Sequence, residues 1–104
     1  MSYEVVFLDD AENDIDEAYI WYESKQRGLG LDFISEVDNA ILYIKENPES
    51  YRKIFLETRR FIVNRFPYGL YYLIDKKHNL INVIGVINFK RNPKIPRQRT
   101  RKYK

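Results

Sequence analysis

The chain has no cysteine and a single histidine. The first absence removes disulfide frameworks, thiolate metal sites and cysteine nucleophiles together, and it suits a reducing compartment. The second leaves His78 without another imidazole to share a metal with, so no metal and no other cofactor is expected. No apolar run approaches the roughly 18–20 residues needed to cross a bilayer. The start, Met1-Ser2-Tyr3-Glu4, lacks the basic stretch followed by an apolar one that opens a secretory signal. The expectation is a soluble, cytoplasmic protein with no membrane partner. Four glycines and four prolines in 104 residues leave little room for a flexible linker, and the length is that of one domain. What is present suffices for a core: 44% of the residues are apolar, with nine Tyr and six Phe, which argues against disorder throughout.

Charge is the most unevenly distributed property. Residues 1–50 hold thirteen of the fifteen acidic side chains and three of the eighteen basic ones, a formal −10, while residues 51–104 carry +13. The net +3 is a near-cancellation of two opposite halves. The last fifteen positions contain Lys90, Arg91, Lys94, Arg97, Arg99, Arg101, Lys102 and Lys104 and no acid. A segment of that kind repels itself and seeks a polyanion or an acidic protein surface.

Tyr3 to Leu8, rich in aromatic and β-branched residues, predicts a first strand. Asp9 or Asp10 can cap the helix that follows, with Asp9 and Glu12 at capping-box spacing. Ala11, Ile15, Ala18, Tyr19 and Tyr22 form its apolar stripe, and Gly28 stops it. A second helix starts near Gly30 to Asp32, buries Leu29, Phe33, Val37, Ala40, Ile41 and Ile44, and ends at Asn47-Pro48. The short connection predicts an antiparallel helical hairpin with an acidic outer face. After residue 50 the period changes to alternation. Ile54 to Leu56 is a weak strand; Arg60–Phe66, Leu70–Ile74 and Leu80–Ile87 are better ones, the last covered on one side and central. The expected fold is α+β, in the order β-α-α-β-β-β, with the two-helix hairpin packed on one face of a mostly antiparallel sheet. Residues 1–93 form the domain, and residues 94–104, with Pro93 and Pro96 at their head, read as a basic tail.

That order, the helix junction Arg27-Gly28-Leu29-Gly30, Phe33, Asn47-Pro48, the run Arg60 to Tyr72 and the ending Asn88-Phe89-Lys90-Arg91-Asn92-Pro93 together resemble the RelE/ParE superfamily, the toxins of type II toxin–antitoxin modules. The resemblance covers about nine-tenths of the chain. It implies a growth-arresting toxin neutralised by a cognate antitoxin, with a homodimer left open. RelE-like members are ribosome-dependent mRNA endoribonucleases that work without metal; ParE-like members poison DNA gyrase. A plain nucleic-acid-binding module without toxicity is a third reading, but it explains the resemblance poorly.

Metal-free phosphodiester cleavage needs a base, an acid and cations around the developing charge. If the chain is a ribonuclease, the resemblance points to Arg60, Tyr68 and Arg91. Gly69 stands where RelE-type toxins place an arginine, and no histidine lies near the C-terminus. Both departures tilt the reading toward the ParE-like branch, a binding poison whose expected target contacts are Lys90, Arg91, Lys94, Arg97, Arg99 and Arg101. Five such cations on phosphates would give a log K versus log salt slope of roughly −3.5 to −4.5. Arg60 and Arg65, five apart, should point to opposite faces of a strand. His78 is expected in an exposed hairpin loop, Asn88 at a strand end, Tyr72 in the core, and Trp21 partly buried between helix and sheet.

Overall fold

The computed structural model describes residues 2–104. The element order is β1 (Glu4–Phe7), α1 (Asp9–Lys25), α2 (Leu29–Glu46), β2 (Lys53–Phe55), β3 (Thr58–Ile62), β4 (Tyr68–Asp75), β5 (Leu80–Asn88) and α3 (Lys94–Tyr103). The five strands form one sheet in the order β1-β5-β4-β3-β2. Only β1 is parallel to its neighbour, running alongside the first half of β5 from Glu4 opposite Leu80 to Phe7 opposite Val83. The α1–α2 hairpin covers one face, where Phe33, Val37, Ala40 and Ile44 meet Leu70, Tyr72, Ile81, Val83 and Val86. Alternation along β4 and β5 sends Tyr71, Ile84 and Ile87 to the other face.

Local details follow from the sequence. Gly28 adopts a positive φ of 87° between the helices, which glycine does without steric cost. Its N–H and that of Gly30 donate to the Glu23 carboxylate at 2.9 and 3.0 Å, closing the junction. Gly30 lies against Tyr19; a Cβ there would sit 2.8 Å from the Tyr19 carbonyl oxygen. Helix α1 does not use the expected caps. Leu8 is the N-cap, with no side-chain hydrogen bond, and its carbonyl accepts from Glu12 N–H. β3 starts two residues earlier than expected and ends at Ile62 rather than Phe66, because the chain turns: Val63 N–H bonds Tyr68 O, and Arg65 has φ 70°. Tyr72 is fully buried and donates its hydroxyl to Pro48 O at 2.6 Å; burial raises its pKa above the ordinary tyrosine value.

The principal correction concerns residues 94–104. They are not a free tail: Lys94–Tyr103 is helix α3, packed on β5 and β2. Both prolines suit a helix start. Pro93 is the N-cap and Pro96 lies in the first turn, where N–H groups have no intrahelical partner to lose. The Asn92 side chain accepts from Lys94 N–H at 2.9 Å. Ile95, Pro96, Arg99, Thr100 and Tyr103 recur at helical spacing and form the buried or half-buried side of the helix. Thr58 and Thr100 share a buried hydroxyl–hydroxyl hydrogen bond of 2.6 Å, and Thr100 also donates to Pro96 O. β5 is therefore covered on both faces, not one.

Charge holds α3 in place. Arg99 Nη1 and Nη2 donate to the two Asp14 carboxylate oxygens at 2.8 and 3.0 Å. Arg99 Nη1 also donates to Ile84 O at 2.8 Å, and Asp14 Oδ2 accepts from Val86 N–H at 3.0 Å. One helical turn earlier, Asp10 Oδ2 accepts from Lys102 Nζ and Tyr103 OH, both at 2.9 Å. Beyond Val83 no β1 residue faces β5, so Asp14 and Arg99 satisfy backbone groups that a longer β1 would otherwise have paired. A bulge aids them: Tyr71 opposes Gly85 while Tyr72 opposes Val83, leaving Ile84 unpaired. A Cβ on Gly85 would stand 2.9 Å from Arg99 Nη1.

Two outcomes are expected. Removing one partner of a largely buried, hydrogen-bonded pair leaves the other uncompensated, so Asp14→Ala should cost about 3 kcal/mol in urea unfolding. Deletion of residues 94–104 should destabilise the domain rather than spare it. The hydrogen bond from Lys102, then that from Tyr103, hold the Asp10 carboxyl below its ordinary value. A group with a depressed folded pKa contributes stability above its unfolded value and loses it as pH falls through the folded one. Bonding to Asp10 raises Lys102, whose contribution is full below its unfolded value and is lost as pH rises through the folded one. Docking of α3, followed through the Thr100 amide resonance, should thus hold across the neutral range. It should begin to weaken below about pH 4 and again above about pH 10.

Candidate functional site

Where α3 crosses the ends of β2, β3 and β5, it encloses a cleft of about 400 Å³. Its floor is apolar, from Ile54, Tyr71, Ile87 and Pro96, and its rim carries Arg60, Arg91 and Arg97 with Phe55 and Phe89. The guanidiniums lie over the rings: Arg60 is 5.4 Å from the Phe89 centroid, and Arg97 and Arg101, four apart on α3, are 5.3 and 5.5 Å from that of Phe55. Such stacking orients a guanidinium while leaving its edge open to an anion. Gly69 has a specific part here. A Cβ at that position would come within 3.0 Å of Arg60 Cγ and Cδ, so glycine lets the Arg60 stem lie flat across β4.

The loop that leads from β5 into α3 is shaped by two asparagines. Asn88 Oδ1 accepts from Lys90 N–H at 2.8 Å, and Asn88 O accepts from Arg91 N–H at 3.1 Å. This turn sets Lys90 and Arg91 outward, and both are exposed. Among the described residues, Lys90, Arg91, Lys94, Arg97 and Arg101 join no ion pair with a carboxylate. Of these, Arg91 and Arg97 line the cleft, and Arg101 lies over its Phe55 wall. The acidic side chains Glu12, Asp16, Glu17, Asp32, Asp38 and Glu46 are exposed on the helical hairpin.

The structure divides the residues that the sequence proposed. Arg60 and Arg91 share the arginine cleft, but Tyr68 does not join them. Its ring packs against Phe33 and Tyr22, with centroids 5.0 and 6.1 Å away, on the hairpin side of the sheet. Burial, and then the neighbouring Tyr68, push the Tyr22 hydroxyl above its ordinary pKa. Arg99 is committed to Asp14, with its side chain 18% exposed, and is corrected from a target contact to an internal clamp. Lys90, Arg91, Lys94, Arg97 and Arg101 remain free at the surface. Arg65 points to α2, 3.5 Å from Asp32, but it does so from the turn after β3, with φ 70°, so the strand parity expected to separate it from Arg60 does not extend to it. His78 is exposed in the β4–β5 hairpin, 2.8 Å from Asp75. Trp21 departs from expectation: it is 56% exposed, with Lys25 Nζ 4.1 Å from its ring centroid. Sequence reasoning missed Phe55 and Phe89 as cleft walls, although Phe89 directly precedes the Lys90-Arg91 pair.

A second cleft, of about 630 Å³, lies between α1 and the far half of β5. Trp21, Tyr22, Ala18 and Glu17 line it from α1, and Tyr68, Asn88, Lys90 and Arg91 from the sheet side. Among the described residues no group of His, Cys, Asp or Glu is placed to hold a metal, and no helix is long and apolar enough to cross a membrane.

Comparison with known proteins agrees with this geometry. No curated protein matches the chain in sequence. Among solved structures, the toxin fold of the chromosomal ParDE system of P. aeruginosa superposes with a TM-score of 0.69 at 14% identity, over 83% of this chain and 95% of that one. A chain of the RelBE2 toxin–antitoxin complex from Mycobacterium tuberculosis gives 0.58 at 20% identity, over 85% and 99%. A mutant of the E. coli toxin RelE in its free state gives 0.66 at 12% identity, over the whole of both chains. These likenesses establish the fold. The profile of the family described as the ParE toxin of the type II toxin-antitoxin system, parDE, matches residues 5–93, and with the β1-α1-α2-β2-β3-β4-β5 core on which those residues lie, the chain belongs to the ParE toxin family.

Proposed function

We propose that this toxin acts by binding, as a poison of DNA gyrase, and that a cognate antitoxin holds it inactive. The observation that carries the proposal is the chemistry of the arginine cleft. Its lining offers three guanidiniums and two phenylalanine rings, but no carboxylate and no imidazole. Cations and rings can grip an anionic or mixed surface. A phosphodiesterase also needs groups that give and take a proton near neutral pH. The one phenol in the lining, Tyr71, is 4% exposed and packs with Ile84 and Ile87.

An antitoxin partner is supported by the relatives, since the P. aeruginosa protein comes from a ParDE system and the M. tuberculosis chain from a toxin–antitoxin complex. The ribonuclease reading keeps one observation in its favour: Arg60 and Arg91 face the same cleft and could stabilise a phosphorane-like charge together. Tyr68 is not available to complete that set from its place among Phe33 and Tyr22.

The two readings separate in paired assays. Purified protein added to gyrase supercoiling reactions should trap cleaved plasmid while leaving mRNA intact in a ribosome-programmed mixture. Message cut at the ribosome with normal supercoiling would reverse the assignment, and inactivity in both, without growth arrest on induction, would favour a non-toxic binding module. Single substitutions Arg91→Ala and Arg97→Ala should change stability by no more than about 0.5 kcal/mol, because both side chains are exposed and unpaired. Growth arrest on induction should nevertheless weaken in each, and most in the double variant. Thermal melts beside the induction assay would show whether any lost toxicity is only lost folding.

A further inference from the structure

Two faces of opposite charge find no partner within the chain. The helical hairpin lies on one side of the sheet, and α3 and the arginine cleft lie on the other, so the two faces look in opposite directions. Along the outside of α1, Asp9, Asn13, Asp16 and Ile20 recur at helical spacing, and all are exposed. Leu31, Ser35, Asp38 and Leu42 do the same on α2. Asp16 lies nine residues before the end of α1 and Asp38 nine after the start of α2, which sets them level across the hairpin. Among the described residues neither joins an ion pair. Beside them Ile20, Leu42 and Leu31, at 66%, 61% and 60%, are the most exposed large apolar side chains described. The cleft face is the counterpart. Arg91 and Arg97 are exposed there without a carboxylate, and the half-exposed Ile62 and Phe89 line the same cleft. Each face mixes one sign of charge with unburied apolar surface, and the signs are opposite.

We propose that these faces bind each other, so that the hairpin of one copy seats on the arginine cleft of the next. Asp16 and Asp38 then meet Arg91 and Arg97, and the aliphatic side chains of the hairpin cover Ile62 and Phe89. The contact is head-to-tail. Because the two faces lie on opposite sides of the sheet, each added copy leaves a face free, and the assembly grows as an open stack instead of closing as a twofold dimer. Charge selects a second copy as the occupant. Nucleic acid is repelled by the hairpin, two hairpins face to face would set acid on acid, and two clefts would set arginine on arginine. At a formal net charge of +3, whole copies repel one another little. Exposed ion pairs are individually weak and screened by salt, so the stack is reversible and strongest at low ionic strength. A stacked copy has its cleft covered. The toxin is therefore masked where it is concentrated and released on dilution, a consequence that rests on the reading that the cleft engages the target; the association itself does not.

Sedimentation equilibrium of the full chain is the test. At about 20 mM salt the weight-average mass should climb with protein concentration past that of a dimer, and at about 500 mM it should return to the monomer. Arg91→Glu/Arg97→Glu and Asp16→Lys/Asp38→Lys should each be monomeric alone, because each sets like charges across the contact. Mixed in equal amounts they should associate again, since each variant presents the sign that the other's altered face requires. All four positions are exposed, and unchanged melting temperatures would confirm that both variants fold. An unaltered chain that stays monomeric at low salt overturns the stack, as does association that either variant leaves intact or that mixing does not restore. A mass that stops at the dimer overturns the head-to-tail geometry. Gyrase takes no part in the measurement. A chain that stacks but traps no cleaved plasmid loses only the target reading, and one that traps plasmid but never stacks loses only this inference.

Discussion

The carboxylate of Asp14 joins three elements at once. It receives the Arg99 guanidinium from α3, it caps the Val86 N–H of β5, and it does so from α1. Strand β1 runs beside only four residues of β5 before the chain turns into α1. An unpaired stretch of buried strand edge costs free energy for each polar group left without a partner. Asp14 and Arg99 meet that requirement with side chains, and Asp10, Lys102 and Tyr103 extend the contact by a turn. Because α3 is fastened there, Arg97 and Arg101 lie over Phe55 and one wall of the arginine cleft exists.

This changes how the opposed halves of the sequence are to be understood. Part of the basic C-terminus is matched to the acidic N-terminus within the same chain, through Arg99 and Lys102. The remainder is not. Lys90, Arg91, Lys94, Arg97 and Arg101 face outward from one region, while the hairpin presents acids elsewhere. Internal pairing fixes the helix, and the unmatched cations are left exposed to solvent. A fully self-neutralised terminus would have no external affinity, and a fully unmatched one would not fold.

The helical hairpin and the strands were legible because their signals are local. Apolar residues recur at helical spacing from Ala11 to Ile44, and the period changes at the sheet. The parity argument for Arg60 and Arg65 assumed one continuous strand, and the turn after Ile62 removes Arg65 from it. Helix α3 was hidden for a physical reason: its inward stripe contains Arg99, whose burial is offset by acids 85 and more positions earlier. A charged residue on an inward face reads as solvent-exposed until its partner is known. Two prolines at a helix start look like a break for the same want of context. The cleft was half visible. Arg91 and Arg97 could be named from charge, but Phe55 and the flat path over Gly69 depend on register across β2, β3 and β4. Tyr68 was misplaced because the turn after Ile62 returns it to the side of Phe33 and Tyr22.

Native-state hydrogen exchange at the Val86 amide tests this account at its centre. That N–H lies on a strand edge without a neighbouring strand, and among the described residues its hydrogen-bond partner is Asp14 Oδ2 at 3.0 Å. If the α1–α3 clamp completes the sheet, Val86 should exchange as slowly as the fully paired Ile81 and Val83, and should lose that protection in Arg99→Ala. Fast exchange in the unaltered protein, at the rate of a frayed edge, would contradict it.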